Sequence, residues 1–248
     1  MSVKNMKILV TGASSGIGAH ISEFLARQGA QVVLAARRLE TLQELAAKCG
    51  DNTSALRMDV GDPDSVTAGV AEAAQRMDGL DGLFNNAGVA WGGRTQDMPF
   101  DEWDKVMEIN VNGAFRAAKA AAEIMMKSRA GGSILNTASI LGVRTGLGVA
   151  AYSASKAAVV HMTHSLAQEW APFRVRVNAI APGYFPSEMT EPFLNTEKGQ
   201  ALKKGVPMRR FGELTELEGP VELLLGSRGS YMTGVILPVD GGHLCRPI

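Results

Sequence analysis

The sequence predicts an α/β protein: a Rossmann-type, doubly wound parallel sheet of seven strands with helices on both faces. Three observations predict it. Short runs rich in Val, Ile and Leu alternate with alanine-rich segments of helical length. Most of those runs are continuously apolar, which is typical of parallel strands covered on both faces. A strand–helix–strand pattern repeated this regularly favours one sheet with right-handed crossovers.

Seven segments have the composition of strands. In chain order they are KILVTG, QVVLAAR, TSALRMDV, LDGLFNNAG, GSILNTAS, VRVNAIAPG and GVILPVDGG. The helical segments between them are predicted at about 15–28, 38–48, 63–77, 101–129, 150–171 and 215–226. No linker, repeat or low-complexity stretch interrupts the alternation, so residues 1–248 are predicted to form a single domain that binds a dinucleotide and performs catalysis.

The segment at about 184–212 does not fit the alternation, because it contains three prolines and mixes aromatic with charged residues. It follows the carboxyl end of a strand, where open α/β sheets bind ligands. We expect a substrate lid there; a structural cover over the sheet edge is the alternative. A possible capping box, Thr215 to Glu218, begins the last helix. Pro220 is expected to bend or delay that helix.

The composition excludes several classes of protein. The formal net charge is zero, so no basic surface indicates a nucleic acid or an anionic membrane as partner. Two cysteines, Cys49 and Cys245, are too few for a disulfide framework, and the four histidines have no metal-ligand spacing. The apolar run near the start of the sequence is shorter than expected for a signal peptide, and no apolar run reaches about 18 residues. We expect a cytoplasmic protein without a metal.

A glycine-rich turn, TGASSGIG, follows the first predicted strand and begins the first helix. Glycines there permit a tight turn and let the backbone approach a pyrophosphate, which then lies at the positive helix N-terminus. The spacing is G-x-x-x-G-x-G rather than G-x-G-x-x-G. The residues of this turn that are predicted to bind a cofactor are Gly12, Ser14, Ser15, Gly16, Ile17 and Gly18.

The end of the second strand indicates which dinucleotide is bound. NAD enzymes usually have an acidic residue there for the ribose 2′-hydroxyl, but this chain has Ala36 followed by Arg37 and Arg38. The planar guanidinium group suits a 2′-phosphate because it can bind two oxygens. NADP(H) is therefore favoured, and NAD(H) remains possible.

The motifs together resemble those of the short-chain dehydrogenase/reductase family, and within it most closely the branch of 3-oxoacyl-carrier-protein reductases. The resemblance covers nearly the whole chain. It depends on TGASSGIG at 11–18, Asp59-Val60, NNAG at 85–88, Asn110, Ser139, YSASK at 152–156 and PGYFPSEM at 182–189. Their order and spacing are specific to the family, although each motif alone is weak.

Tyr152 and Lys156 lie four residues apart on a predicted helix, so their side chains share one face. A free tyrosine has a pKa near 10, and a neighbouring cation is expected to lower that pKa towards the working range of an acid–base catalyst. Ser139, at a strand end, is placed to hydrogen-bond the reacting carbonyl or alkoxide oxygen. These three residues are the predicted catalytic group.

The resemblance implies further roles. Lys156 would also hold the nicotinamide ribose, and Asn110, the fourth predicted catalytic residue, would anchor a water of a proton relay. The remaining cofactor contacts that the resemblance implies are Asp59 and Val60 for adenine, Asn86, Ala87 and Gly88 for the adenosine ribose, and Pro182, Gly183, Phe185 and Ser187 for the nicotinamide carboxamide. The family also implies a homotetramer in which helices 101–129 and 150–171 pair across a two-fold axis.

The predicted substrate site consists mainly of apolar residues. They are Leu141, Leu147, Tyr184 and Met189, beside Ser139 and Tyr152. They favour reduction of an apolar or acyl ketone, of 3-oxoacyl type. Against that assignment, carrier-protein reductases often have a basic residue near this helix end, whereas the stretch Ala171-Pro172-Phe173-Arg174 has phenylalanine and a displaced arginine. An NAD-linked alcohol, polyol or steroid dehydrogenase and a non-catalytic dinucleotide-binding sensor are the alternatives.

Overall fold

Seven parallel strands form one sheet in the computed structural model, which describes residues 2–188 and 190–245. The strands are β1 (Lys7–Thr11), β2 (Gln31–Ala36), β3 (Thr53–Arg57), β4 (Gly82–Asn85), β5 (Gly132–Thr137), β6 (Val175–Pro182) and β7 (Ile236–Val239). Their order across the sheet is β3-β2-β1-β4-β5-β6-β7. The predicted seven-stranded, doubly wound sheet is confirmed.

Helices cover both faces of the sheet. They are α1 (Gly16–Arg27), α2 (Leu39–Cys49), α3 (Pro63–Met77), α4 (Phe100–Met107), α5 (Ala114–Met125), α6 (Ala150–Trp170), α7 (Glu191–Leu194), α8 (Glu197–Gly205) and α9 (Glu218–Leu225). Within the residues described, no helix combines the length and hydrophobicity needed to cross a membrane.

Alternate residues of the central strands enter two separate hydrophobic layers. Leu9 and Leu83 pack with buried residues of α3, α5 and α6 on one face. Their strand neighbours Ile8 and Phe84 pack with α1, α2 and α9 on the other face. Because both faces of these central strands are covered, their sequences show no alternation of polar and apolar residues, and this explains the continuous apolar runs.

The strand order reverses at β1. This strand pairs with β2 on one side, where Thr11 is opposite Ala35, and with β4 on the other, where Val10 is opposite Phe84. The carboxyl ends of β1 and β4 therefore lie side by side, while their following connections lead away in opposite directions. Open α/β sheets bind ligands at this point.

The predicted helix 101–129 is two helices, because a π-helical turn, Glu108–Gly113, separates α4 from α5. A Cβ atom at Gly113 would lie 2.8 Å from the carbonyl oxygen of Val60. The helical segment and the loop after β3 therefore approach each other more closely here than a residue with a side chain would permit. The turn contains Asn110, which is buried.

The segment 184–212 contains α7 and α8, and a hydrogen bond from Gly212 N to Tyr184 O (2.9 Å) joins its two ends. The capping box predicted at Thr215 is wrong: Glu213 and Glu216 form it, at the start of a 3₁₀ turn, Leu214–Leu217. Helix α9 begins only after this turn, with Pro220 in its first turn, where a missing N–H is tolerated.

Candidate active site

A cleft of about 350 Å³ lies at the carboxyl ends of the strands, where the strand order reverses. The phosphate turn lines one end of it, and Ser139, Tyr152 and Lys156 line the other. The predicted cofactor residues that line it are Gly12, Ser14, Ser15, Gly16, Ile17, Arg37, Arg38, Asp59, Val60, Asn86, Ala87, Gly88, Tyr152, Lys156, Pro182, Gly183, Phe185 and Ser187.

Gly18, the remaining predicted cofactor residue, does not line the cleft. A Cβ atom there would lie 2.2 Å from the carbonyl oxygen of Gly12 and 2.6 Å from Nδ2 of Asn86. Gly18 therefore lets α1 pack against the turn, whereas Gly12 and Gly16, at φ of +65° and +55°, bend the chain around the cleft. Position 18 therefore needs glycine for space, and its predicted contact with the cofactor stays a prediction.

Thr11 connects the two strand ends beneath this turn. Its buried hydroxyl donates to Oδ1 of Asn85 (3.3 Å) and accepts from the backbone N–H groups of Asn86 (3.0 Å) and Ala87 (3.1 Å). The Asn86 side-chain amide in turn donates to the carbonyl of Gly12 (3.3 Å). The phosphate turn and the NNAG segment are thus held as one unit.

The two arginines after β2 have different surroundings. Arg38 Nη2 lies 3.2 Å from Ser14 Oγ and 3.3 Å from Oε2 of Glu188, which belongs to the segment after β6. Within residues 2–188 and 190–245, the exposed side chain of Arg37 makes no hydrogen bond or ion pair, and it faces the cleft. Arg37 is therefore available to an anionic ligand.

Ser139, Tyr152 and Lys156 come together as the spacing predicts. Ser139 lies two residues beyond β5, and Tyr152 and Lys156 lie in α6. The Lys156 ammonium is 5.6 Å from the centroid of the Tyr152 ring and donates to the carbonyl oxygen of Thr137 (2.7 Å). The Ser139 side chain accepts from Leu141 N (3.1 Å) and hydrogen-bonds the Tyr152 hydroxyl.

The pKa of Tyr152 departs from the expectation. Burial raises the pKa of this phenol, a hydrogen bond from Ser139 lowers it, the nearby Tyr184 raises it, and the net shift is upward. Burial also lowers the pKa of the Lys156 ammonium, to about 8, and that ammonium donates to the carbonyl oxygen of Thr137. The predicted lowering of the Tyr152 pKa is therefore wrong for these side chains alone.

Asn110 does not line the cleft. Its side chain accepts from Val89 N (2.8 Å) and donates to Val89 O and to Ser155 Oγ, both at 2.9 Å. It thereby joins the segment after β4 to α6, one residue before Lys156. Its predicted role as the anchor of a relay water stays a prediction.

The predicted substrate residues are only partly brought together. Tyr184 lines a second cavity of about 410 Å³, which shares Phe185 with the cleft, and its ring packs edge-on against His243 (5.6 Å between centroids). Leu141 and Leu147 line neither cavity, and Leu147 is fully exposed because its loop projects into solvent. Met189 lies outside the described residues.

Several cleft residues were not predicted as site residues. They are Ala36, Met58, Val89, Ile109, Thr137, Ala138, Glu188 and Thr190. Met58 and Ala138 adjoin predicted residues at strand ends, so strand register could have found them. No sequence pattern indicates Glu188, because Arg38, with which it forms an ion pair, is 150 positions away in the chain. In the described part of the chain, no group of three or more His, Cys, Asp or Glu is arranged to bind a metal.

The sheet topology and the cleft at its switch point are those of a Rossmann-type dinucleotide-dependent oxidoreductase. Comparisons with known proteins agree. The model of a family described as enoyl-(acyl carrier protein) reductase matches residues 12–243. The chain is 37% identical to 3-oxoacyl-(acyl-carrier-protein) reductase FabG of Vibrio cholerae over 242 residues, which covers 98% of each chain.

Two solved structures are similar over almost their whole length. A short-chain type dehydrogenase/reductase from Mycobacterium marinum has a TM-score of 0.93 and 37% identity, covering 98% of this chain and 97% of the other. A gluconate 5-dehydrogenase from Burkholderia cenocepacia, in complex with NADP and tartrate, has a TM-score of 0.93 and 30% identity. The match covers 98% of this chain and 96% of the other. The chain belongs to the short-chain dehydrogenase/reductase family, and it is an oxidoreductase.

Proposed function

We propose that the protein transfers a hydride between NADP(H) and a carbonyl or secondary alcohol. The observation on which this depends is that Ser139, Tyr152 and Lys156 line the same cleft as the phosphate turn. The residues fit a dinucleotide: the phosphate turn leads directly into α1, which begins at Gly16, and the preceding Ser15 makes no side-chain hydrogen bond to the helix N-terminus, where a pyrophosphate would lie.

The roles of the side chains follow from their positions. When bound, the reduced nicotinamide supplies a hydride to the carbonyl carbon. The Tyr152 hydroxyl donates its proton to the carbonyl oxygen, which becomes the alcohol hydroxyl. Ser139 hydrogen-bonds the same oxygen and stabilises the charge that develops on it. Lys156 lies one helical turn from Tyr152 and its ammonium stabilises the phenolate that remains.

The preference for NADP(H) is supported by Arg37, which faces the cleft at the end of β2, and by the absence of an acid at Ala36. The related structure from Burkholderia cenocepacia is itself an NADP complex. In the double variant Ala36→Asp/Arg37→Leu, kcat/KM should shift from NADPH towards NADH. A parent enzyme that already prefers NADH would contradict the proposal.

For the substrate we propose an apolar or 3-oxoacyl-type ketone. Val143 and Leu147, on the segment that follows β5, and Phe193, on the segment that follows β6, are exposed apolar side chains. The same two segments contribute Ser139 and Ser187 to the cleft. Exposed apolar groups beside a catalytic cleft suit an acyl chain better than a sugar. We further propose that the segment 184–212 closes over that chain as a lid.

A sugar acid or polyol is the second candidate, and Tyr184 favours it. Its hydroxyl lies close enough to Tyr152 to raise the pKa of that phenol. A second phenol beside the catalytic one offers a hydrogen bond to a hydroxyl next to the reacting carbon. One of the structural relatives described above is a gluconate 5-dehydrogenase.

The test is NADPH oxidation with a matched panel: a 3-oxoacyl thioester, a simple aryl or alkyl ketone and a 5-keto sugar acid. We expect the highest kcat/KM with the thioester or the apolar ketone. Highest activity with the sugar acid, lost in Tyr184→Phe, would establish the second candidate instead. Binding of NADPH without oxidation on any substrate would support the dinucleotide-binding sensor.

A further inference from the structure

Glu188 is an acidic side chain in a cleft that is predicted to receive a cofactor with several negative charges. It lines the cleft together with Arg37, Arg38 and the phosphate turn. A carboxylate in such a place opposes the binding of phosphate groups unless a cation compensates it. The structure supplies that cation, because Oε2 of Glu188 lies 3.3 Å from Nη2 of Arg38.

The position of Glu188 is fixed by its neighbours. The Ser187 carbonyl accepts the N–H groups of Thr190 (3.0 Å) and Glu191 (2.9 Å), and the hydroxyls of Ser187 and Thr190 lie 3.0 Å apart. Thr190 Oγ1 also donates to Phe185 O (2.5 Å). Glu188 therefore lies in a hydrogen-bonded part of the chain near the start of the segment 184–212.

The ion pair crosses the cleft. Arg38 belongs to the connection after β2, whereas Glu188 follows β6, on the other side of the switch point. The two sides are already close beneath the pair, since a Cβ atom at Gly16 would lie 3.2 Å from Cβ of Ser187. Arg38 is also hydrogen-bonded to Ser14 of the phosphate turn (3.2 Å). Its guanidinium group is thus shared between the turn and Glu188. Arg37 faces the cleft and has no such partner among the residues that the structure describes.

We propose that Glu188 is a specificity-determining residue of the cofactor site, whose carboxylate competes with the adenosine 2′-phosphate for Arg38. A ligand with a 2′-phosphate must replace Glu188 on the guanidinium, and its charge is repelled by the displaced carboxylate. A ligand with a free 2′-hydroxyl leaves the ion pair intact. Glu188 therefore reduces the preference for NADP(H) that Arg37 and Arg38 create. This inference rests on the proposed function only in its assignment of the nucleotide site.

The test uses two nucleotides that differ in the 2′-phosphate alone, adenosine 2′,5′-bisphosphate and adenosine 5′-monophosphate, titrated by calorimetry. In Glu188→Gln we expect Kd for the bisphosphate to fall roughly two- to tenfold, while Kd for the monophosphate changes much less, because an exposed ion pair is worth little and only the 2′-phosphate competes for it. The difference should decrease at high salt. Binding of the monophosphate also verifies that the variant is folded.

Glu191→Gln is the matched control, since Glu191 is an exposed acid three residues further on, in α7, and the substitution changes the net charge equally. In Arg38→Met, the additional change Glu188→Gln should affect Kd for the bisphosphate less than it does in the parent, because it then removes only charge repulsion and no longer frees a guanidinium group. An unchanged ratio of the two Kd values in Glu188→Gln, or the same change in Glu191→Gln, would overturn the inference alone. Failure of the parent protein to bind either nucleotide would overturn the proposed nucleotide site and this inference with it.

Discussion

The hydroxyl of Thr11 is the side-chain group that fixes the geometry of the switch point. It is buried, and it hydrogen-bonds one side chain and two backbone N–H groups of the NNAG segment. A backbone N–H group left without a partner in such a place costs about 1–3 kcal/mol. Valine has the same shape as threonine but no hydroxyl, so at the end of β1 it would leave the N–H groups of Asn86 and Ala87 without this partner.

Tyr152→Phe tests the proton donor. The substitution removes only the hydroxyl, so the fold and nucleotide binding should persist while kcat falls by a factor of about 10² or more. Single-turnover reduction of a good ketone measures the effect. Ser139→Ala should also reduce kcat, with little change in nucleotide affinity, because its partner is the substrate oxygen. Near-parental rates in Tyr152→Phe would mean that another group or water delivers the proton.

Lys156 should make stability depend on pH in the alkaline range. Burial lowers its pKa from 10.5 to about 8, so between these values the unfolded chain binds more protons than the folded chain. The free energy of unfolding contributed by Lys156 should therefore rise with pH across that window, by up to about 1.4 kcal/mol per pH unit.

Urea denaturation of the parent and of Lys156→Met, at steps from pH 7 to pH 10, measures this contribution. The difference in free energy of unfolding, parent minus variant, should increase from about pH 8 upwards, because the methionine variant lacks the buried titrating group. A difference that stays constant with pH would show that the lysine titrates alike in both states.

At the scale of single elements, the contact between α1 and the phosphate turn depends on Gly18. A side chain there would meet the backbone of Gly12, which cannot rotate away. We expect Gly18→Ala to lose about 1–3 kcal/mol of stability and to weaken nucleotide binding.

Gly219→Ala is its control. Gly219 lies in the first turn of α9, and among the described residues beyond its own helical turn no atom lies within 4 Å of the position that a methyl group would take. Alanine should therefore be neutral there or stabilise by about 0.5–1 kcal/mol. Thermal denaturation and nucleotide titration of both variants give the comparison. Equal, small effects of the two substitutions would contradict the role assigned to Gly18.

The sequence predicts the strands well and the special features of the helices poorly, for a physical reason. Apolar runs identify buried parallel strands because burial on both faces demands them. The π turn at Glu108–Gly113 has no corresponding sequence pattern, and the close approach of Gly113 to Val60 within it involves a residue from another part of the chain. The exposure of Leu147 and the pairing of Glu188 with Arg38 likewise depend on distant parts of the chain.

The catalytic group is predictable because it obeys a local rule. Tyr152 and Lys156 lie one helical turn apart, and Ser139 lies at a strand end of the same edge of the sheet. The pKa of Tyr152 was not predictable, because it depends on burial and on Tyr184, which follows another strand. Local spacing therefore predicts which groups meet, and the whole fold determines how they titrate.

At the scale of the whole molecule, α5 and α6 present apolar side chains to the outside, and we expect them to pair in a homotetramer. Phe115 in α5 is 43% exposed, and Met162 in α6 is only partly buried. Long helices with alanine at many positions permit close helix packing across a two-fold axis. Light scattering at micromolar concentration should give the mass of four chains.

Phe115→Glu should shift that mass towards dimers or monomers, because a carboxylate would be buried at the interface. Phe193→Glu is the matched control: Phe193 is also 43% exposed but lies in α7, outside the proposed interface. A monomeric parent, or an equal effect of the two variants, would contradict the proposed assembly.

The order β3-β2-β1-β4-β5-β6-β7 has a consequence for synthesis on the ribosome. The nascent chain first extends the sheet outwards from β1 through β2 to β3, and then outwards from the other side of β1 through β4 to β7. Every strand therefore joins a free edge, and none has to enter between two strands that are already paired. This order limits the exposure of unpaired strand edges during translation, because at each stage only the two outermost strands of the growing sheet have an unpaired edge.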